Sequence, residues 1–370
     1  MQIKIDRQEI ERRLDAIRAC MENDGLDLLV IHSSPLYSMY IHYASNYDLI
    51  GKGATVILPI SGDPILYVSE AWDLDRAARV SPIADVRASS NLARACGEYL
   101  RSPRSAMAGI EWVDNAFATE LIARAGREVP SASKLLERAA HRKTEIEREL
   151  IRQAAALADI GFERGYNALV PGMPEYELAA EIEFGMRDAG AVDNFGLLSS
   201  GKHNRAIGLP TDRPVEIGDM LIFEITPARL NRNYSAQLCR TMCVGPASDL
   251  ARERYSIIEE ALEAGLALVK PGTPISDITI AQDDVISRHG FREYCQPPYM
   301  RARGHGFGVG RIDLSRKNHQ LLEEGMAMIV HPNQYFPDVG YLALGEMVIV
   351  TDSGPERLCR LRPGIFETRL

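Results

Sequence analysis

The chain has 370 residues, of which 46% are hydrophobic and 25% are charged, and its formal net charge is -9 at pH 7. This composition is typical of a globular protein with room for two domains, each with its own core. The charge is spread along the chain without a Lys/Arg block, which argues against nucleic acid as a partner. No apolar run approaches about 18 residues and the start MQIKIDRQEIERR is charged, so we predict no membrane partner and a cytoplasmic location.

The first part of the chain predicts a small α/β layer. Its boundary is expected near residues 131–140, so we predict one domain over residues 1–138 and a second over residues 139–370. The predicted strands and helices alternate along the first domain. The strands are at residues 27–32, 53–60 and 64–68, and the helices are near 7–24, 70–79 and 115–126.

The second domain begins with a helical pattern that occurs twice. A helix is predicted from residue 144 to about 169, followed by the stop VPGMP and a helix over 175–189. The same order returns as a helix over 250–269, the stop KPGTP and a helix over 275–289. The repeat indicates an internal pseudo-two-fold symmetry.

Strands that otherwise look like core carry polar residues at internal positions. A strand ending at Glu224 and a second over residues 234–244 predict a hairpin, with a longer or bulged turn at residues 228–233. In GHGFGVG the glycines alternate, which leaves His305 as the side chain able to do chemistry. The strand GMAMIVHP ends in the step His331-Pro332, and a long strand interrupted by Gly345-Glu346 is predicted over residues 340–351.

The order of these motifs resembles a known family. GDxLxF followed by an acid, YxxxxxRTxxxG, GHGxG, GMxxxxxP and a final VT-x-x-G are similar to methionine aminopeptidase, aminopeptidase P, prolidase and creatinase. The resemblance implies an α/β N-terminal domain plus an α+β "pita-bread" C-terminal domain with internal pseudo-two-fold symmetry. The N-terminal domain and the segment RKTEIE resemble the creatinase and prolidase branch.

The metallopeptidases of that family carry Asp, Asp, His, Glu and Glu at positions that bind two metals and activate a water. The corresponding residues in this chain are Glu224, Gln237, His305, His331 and Gly345. Two divalent cations are normally bridged by carboxylates, and Glu224 is the one anion left at these positions. We therefore predict no metal and no cofactor.

Creatinase is a relative that hydrolyses a carbon–nitrogen bond without metal, although its catalytic His aligns on Gly208 and one of its Glu residues on Cys239. The resemblance implies a metal-independent creatinase-like hydrolase, acting on a small polar amidine, guanidine or amide. In the predicted mechanism His331 or His203 takes a proton from water, His305 donates one to the leaving nitrogen, and Glu224 holds the substrate.

Further residues are weaker candidates for substrate binding. Glu346 faces either into the cleft or away from it, because neighbouring strand residues point to opposite sides. Cys239 is either a nucleophile or a small buried residue. Arg301 and Arg303 either bind a carboxylate of the substrate or are surface charges. The predicted set is Tyr47, Asp48, Arg301, Arg303, Glu346, Gln237 and Cys239.

Two alternatives stay open. Glu224, His305, His331 and Glu346 are compatible with a single iron, zinc or manganese ion in a hydrolase or lyase. A non-catalytic peptidase-like binding protein is the other.

The tyrosine-rich segment of residues 36–49 predicts a homodimer with a shared active site. We expect Tyr43, Tyr47 or Asp48 of one chain to lie near the cleft of the other. The alternative is that these tyrosines pack inside their own domain.

Overall fold

The computed structural model describes residues 5–369. The chain divides into two compact units, Met1–His141 and Arg142–Leu370. Within the described residues, none of the helices combines the length and the apolar character needed to cross a membrane. The cysteines are free thiols, and all are buried except Cys20, which is half-buried.

The N-terminal unit is built on one mixed sheet. Its helices are α1 (Arg7–Asn23), α2 (Met39–Ser45), α3 (Leu74–Val80), α4 (Leu92–Gly97), α5 (Asn115–Ala125) and α6 (Ser133–Ala140), and its strands are β1 (Leu28–Ser33), β2 (Ala54–Pro59), β3 (Ile65–Val68), β4 (Asp85–Ala88) and β5 (Ser105–Ala108). The strand order is β4-β3-β2-β1-β5. Val30, Ile57 and Met107 from three of these strands form part of one buried cluster, which explains why the apolar runs of the sequence become strands.

The repeated helical pattern of the C-terminal unit forms two matching helix pairs. They are α7 (Glu145–Ala168) with α8 (Glu175–Asp188), and α9 (Asp249–Leu266) with α10 (Ile275–Ile286). Each pair is joined by a turn with a glycine at positive φ, 91° at Gly172 and 84° at Gly272. Pro174 then pairs with Pro214, as Pro274 does with Leu321. The two halves therefore repeat the same backbone arrangement.

Two four-stranded sheets and a small hairpin complete this unit. The strands are β6 (Asp193–Gly201), β7 (Met220–Ala228), β8 (Leu238–Cys243), β9 (Gly304–His305), β10 (Ala327–Val330), β11 (Gln334–Phe336), β12 (Gly340–Leu342), β13 (Glu346–Thr351), β14 (Gly354–Arg357) and β15 (Ile365–Glu367). The orders are β15-β8-β7-β6 and β14-β13-β10-β9, with β11 paired to β12. The strand predicted over residues 340–351, with its interruption at Gly345-Glu346, forms two strands, β12 and β13, and these belong to different sheets.

The hairpin of β7 and β8 keeps one register from end to end. Glu224 pairs with Cys239, and the same register reaches the bridge between Ala228 and Ser235. The Arg229 N–H then donates to the Tyr234 carbonyl at 2.9 Å. The predicted bulge is therefore absent, and the extra length forms a loop in which Leu230 has a φ of 70°.

Candidate functional site

One face of the β7/β8 hairpin carries the polar residues of the site. Glu224 pairs with Cys239 in the sheet, and side chains alternate between faces, so Gln237 lies on the same face as Cys239. Cys239 also forms a bridge with Gly345, and a Cβ on Gly345 would lie 2.9 Å from the His331 Cβ. The rings of His331 and His305 are 5.6 Å apart. We call these residues, Glu224, Gln237, Cys239, His305 and His331, the cleft.

Short strands hold the two histidines in place. His305 is on β9, where it pairs with Ile329 of β10. His331 follows β10 directly, and its N–H donates to the Arg303 carbonyl at 3.0 Å. The two residues therefore come from neighbouring strands of one sheet, whereas Glu224 comes from the other sheet.

Glu224 is the carboxylate of the cleft. Its Oε1 accepts a hydrogen bond of 2.8 Å from Nδ2 of Asn333. Burial raises its pKa, and the Asn333 hydrogen bond opposes that rise. Asn333 was missed by the sequence analysis, although a polar residue two positions after His331, directly beyond the apolar strand GMAMIV, was a usable signal.

Burial favours the neutral form of both histidines. Burial lowers the pKa of His305, and the nearby Arg311 charge lowers it further. Burial, with a smaller effect of His305, lowers the pKa of His331 to about 3. Nδ1 of His331 has no hydrogen-bond partner among residues 5–369. A neutral imidazole presents one donor and one acceptor, so each ring can bind an uncharged polar group.

Cys239 and Gln237 complete the cleft. Burial, together with the Glu224 charge, raises the pKa of the Cys239 thiol well above its usual range, so the sulfur stays protonated and is a poor nucleophile. Gln237 is only 3% exposed, and its Nε2 donates to the Thr226 hydroxyl at 3.1 Å. In the described part of the chain, its Oε1 has no hydrogen-bond partner.

Glu346 does not face the cleft. Its neighbour Gly345 takes that position, and Glu346 points to the opposite side of the strand, where its Oε1 lies 2.5 Å from Nη2 of Arg240. Arg357 approaches its other oxygen at 3.4 Å. The role of Glu346 in substrate binding is therefore corrected to that of a buried ion-pair partner.

The two arginines proposed as a carboxylate clamp lie elsewhere. Arg303 is fully buried, and its guanidinium donates to Asp283, to the Asn333 carbonyl and to Gln334. Arg301 lines a separate cavity of about 850 Å³ with Asp313 and others. Arg303 is thus a structural residue, because its donors are already used.

His203 is exposed, and its Nε2 lies 3.0 Å from the Pro337 carbonyl.

The tyrosines of the N-terminal segment pack within their own unit. The hydroxyl of Tyr47 donates to Asp73, and that of Tyr43 donates to the Ala139 carbonyl at 3.3 Å. Asp48 is exposed, with Oδ1 3.3 Å from Nε2 of His42.

The residues of the cleft do not fit two bridged metal ions. No group of three or more His, Cys, Asp or Glu residues suited to a metal ion occurs within residues 5–369. A Cβ on Gly345 would also lie 3.1 Å from Sγ of Cys239. The space that a carboxylate side chain at position 345 requires is therefore taken by Cys239 and His331.

The chain is similar to known peptidases over most of its length. Residues 149–352 match the profile of Metallopeptidase family M24. An Xaa-Pro dipeptidase from Pyrococcus furiosus is 27% identical over 224 residues, which are 59% of this chain and 63% of that relative, or less than two thirds of its length. An uncharacterized peptidase from Bacillus subtilis is 24% identical over 356 residues, 92% of this chain and 96% of the relative.

A solved structure described as an Xaa-Pro dipeptidase from Bacillus anthracis has a TM-score of 0.84 at 21% identity, and the match covers 97% of this chain and 99% of that one. These similarities confirm the predicted family and the pita-bread fold. They overturn the prediction of a metal-independent creatinase-like hydrolase of amidines and guanidines, because the similar proteins are named as peptidases. The chain belongs to Metallopeptidase family M24.

Proposed function

We propose that the C-terminal unit binds a small peptide of the Xaa-Pro class in the cleft. The observation that carries the proposal is Glu224, a carboxylate on the cleft face that has one oxygen held by Asn333 and no salt bridge to any of the residues 5–369. A partly buried carboxylate without a cation favours a ligand that supplies hydrogen-bond donors.

The neutral groups of the cleft suit a peptide. Nδ1 of His305 donates to the Gly306 carbonyl at 3.2 Å, which leaves its Nε2 as an acceptor for an amide N–H. Nδ1 of His331 and Oε1 of Gln237 have no hydrogen-bond partner in the described chain and can each bond to an amide. The Xaa-Pro class is taken from the names of the similar peptidases.

A second candidate is hydrolysis of the same Xaa-Pro bond. It is favoured by the names of those relatives and by His305, which stands at the position of the family's metal-binding histidine. It is opposed by the misfit between the cleft residues and two metal ions. We derive no catalytic step through such a centre.

The test is isothermal titration of the full chain with the dipeptide Ala-Pro. We expect saturable binding, and we expect Glu224→Gln to weaken it by about tenfold or more, because a hydrogen bond to a charged group is lost. Glu163→Gln, on the exposed pair with Arg360, is the matched control and retains wild-type affinity. Absence of binding to the wild-type protein overturns the proposal.

Proline release from Ala-Pro, measured with and without added Mn²⁺, separates the two candidates. No release in either condition supports a binding role. Steady release that requires Glu224 and rises with Mn²⁺ establishes hydrolysis, and it also contradicts the conclusion that the cleft does not fit metal.

The homodimer with a shared active site is also proposed here, from the family resemblance. Because Tyr43 and Tyr47 are engaged within the N-terminal unit, Asp48 is the member of the predicted trio with an exposed side chain. Light scattering should give twice the chain mass of 41.0 kDa. A monomer that binds Ala-Pro with full affinity contradicts a shared site.

The cytoplasmic location stays a prediction.

A further inference from the structure

A second cavity, of about 850 Å³, lies in the C-terminal unit outside the cleft. It is formed by the end of α10, the loop of residues 292–302 and the loop of residues 313–317. None of the five cleft residues lines it. Its volume is within the range of about 300–1,000 Å³ that is typical of small-molecule sites. The cavity is therefore large enough to hold a small molecule of its own.

A buried carboxylate of this cavity is shared by two arginines. Asp283 is 1% exposed, its Oδ1 lies 2.8 Å from Nη2 of Arg303, and its Oδ2 lies 2.6 Å from Nη2 of Arg316. One negative charge therefore faces two positive charges. The Arg316 side chain is 49% exposed, and its Nη1 makes no hydrogen bond within the described part of the chain. Asp283 thus holds a guanidinium that has donors left for an anion.

Three more cations line the same cavity without a counter-ion. Arg292, Arg301 and Lys317 are exposed, and none of them forms an ion pair with another of the residues 5–369. Like charges around one cavity repel one another, and the repulsion is strongest when water is displaced. A bound anion would relieve this repulsion, and the cluster would also attract an anion from solution although the chain has a net charge of -9.

Acidic residues reduce this positive charge without cancelling it. Asp284 and Asp313 also line the cavity, and neither forms a salt bridge within the described residues. Together with Asp283 they give three carboxylates, which stand against the five cations Arg292, Arg301, Arg303, Arg316 and Lys317. The excess of two positive charges matches a phosphate monoester, which carries about -1.5 to -2 at pH 7. A single carboxylate group carries half of that charge.

We propose that this cavity binds a small molecule that carries a phosphate group, with Arg301, Arg316 and Lys317 as its principal contacts. The site is distinct from the cleft, and the inference does not depend on the proposed peptide-binding function. Arg301, which the sequence suggested as a ligand of the substrate carboxylate, is assigned here to a different ligand.

The test is isothermal titration of the full chain with glycerol 2-phosphate at constant ionic strength. We expect saturable binding with a dissociation constant below about 1 mM. Glycerol is the matched ligand without phosphate, and we expect it not to bind. Succinate carries two charges on separate carboxylates, and we expect it to bind at least about fivefold more weakly, because a phosphate presents three acceptor oxygens on one centre.

Substitutions locate the site. Arg301→Gln and Lys317→Gln each remove one cation, and we expect each to weaken the binding of glycerol 2-phosphate by about tenfold. Arg362→Gln and Lys270→Gln are the matched controls, because both residues are exposed and lie outside the cavity. Asp284→Asn removes a negative charge, and we expect it to tighten binding by about two- to threefold. Such a gain does not arise from damage to the fold, and thermal melts verify the folding of the weakened variants.

Competition separates this cavity from the cleft, which it adjoins through the bridge between Asp313 and His305. A saturating concentration of Ala-Pro should leave the affinity for glycerol 2-phosphate unchanged. Displacement by Ala-Pro would place the anion in the cleft and overturn the inference.

The other outcomes are equally decisive. The inference is overturned if the wild-type protein does not bind glycerol 2-phosphate, or if Arg301→Gln and Lys317→Gln bind it as tightly as the wild type. Equal affinity for succinate overturns the assignment of phosphate. If Ala-Pro does not bind, the proposed peptide-binding function fails, whereas the phosphate site still stands or falls by the titrations of the variants.

Discussion

At the scale of single residues, Arg240 and Glu346 form one of the buried ion pairs of the C-terminal unit. The side chains are 0% and 1% exposed, and the Arg240 guanidinium also donates to the Gly345 carbonyl at 2.5 Å. Removing one partner of a buried pair leaves the other charge uncompensated. We expect Glu346→Gln to lower the free energy of unfolding by roughly 3 kcal/mol in urea titrations.

The matched control is again Glu163→Gln, whose partner Arg360 is exposed. An exposed pair contributes about 0–1 kcal/mol. Equal effects of the two substitutions would show that the Arg240–Glu346 pair does not stabilise the unit as argued.

The burial of His32 predicts that the stability of the N-terminal unit depends on pH. Its Nδ1 lies 2.9 Å from the Thr55 hydroxyl, and burial lowers its pKa from 6.5 to about 4. Because the unfolded chain binds this proton more tightly, the stability is fully present above about pH 6.5 and is lost as the pH falls toward 4. The expected loss from this residue between pH 7 and 4.5 is about 2–3 kcal/mol.

Urea unfolding at these two pH values tests the point. In His32→Gln the pH dependence should shrink by that amount. An unchanged dependence in His32→Gln would show that this residue is not the titrating group.

The sequence located Glu224, His305 and His331 because their motifs occur in a recognisable order. It did not decide between Gly345 and Glu346, since which neighbour faces the cleft depends on strand register. Asn333 was missed for a different reason, because its contact with Glu224 joins residues that are distant along the chain.

At the scale of elements, α7 begins with a capping box. The Glu147 N–H donates to the Thr144 hydroxyl at 3.3 Å, and the Thr144 N–H donates to the Glu147 carboxylate at 3.0 Å. We expect Thr144→Ala to cost about 1 kcal/mol of unfolding free energy, because a helix N–H loses its acceptor. Thr144→Ser keeps the hydroxyl, and calorimetry should find it close to wild type. If Thr144→Ser lost as much unfolding free energy as Thr144→Ala, capping by the hydroxyl would be excluded as the cause.

Elements with local sequence signals were predicted closely. The predicted helix from 144 to about 169 agrees with Glu145–Ala168, because a three- to four-residue apolar period and a Pro-Gly stop are local signals. The interruption at Gly345-Glu346 was predicted, but the separation of β12 and β13 into different sheets was not, since an apolar run does not show where the chain leaves one sheet for another.

At the scale of the whole molecule, each unit has its own buried clusters. A unit with its own core is expected to fold alone. We therefore expect residues 142–370, expressed separately, to give a helical circular dichroism spectrum and a cooperative melt.

A segment of residues 155–370 serves as the control, since it lacks the start of α7 with the buried Leu150 and Ile151. It should melt without cooperativity. An unfolded 142–370 segment would show that the C-terminal core needs the N-terminal unit.

The family and fold were predictable because the motifs extend through the C-terminal half of the chain, whereas the chemistry was not. Substituted positions such as Gln237 and Gly345 argue against a two-metal centre, but they do not name a substrate. Inferring a metal-independent creatinase-like hydrolase from missing carboxylates was wrong, because their absence is compatible with many ligands.

The burial of the thiols makes their alkylation rates a measure of how fast the surrounding structure opens. Cys20 is half-buried and the other cysteines are buried, and alkylation requires an accessible thiolate. A native sample should therefore consume about one equivalent of maleimide quickly. The remaining thiols should react only as fast as the surrounding structure opens. Peptide mapping of the alkylated sites over hours would rank the opening rates of Cys96 in the N-terminal unit and Cys239 in the cleft. Slowing of the Cys239 site alone by Ala-Pro would follow if the ligand closes the cleft around it.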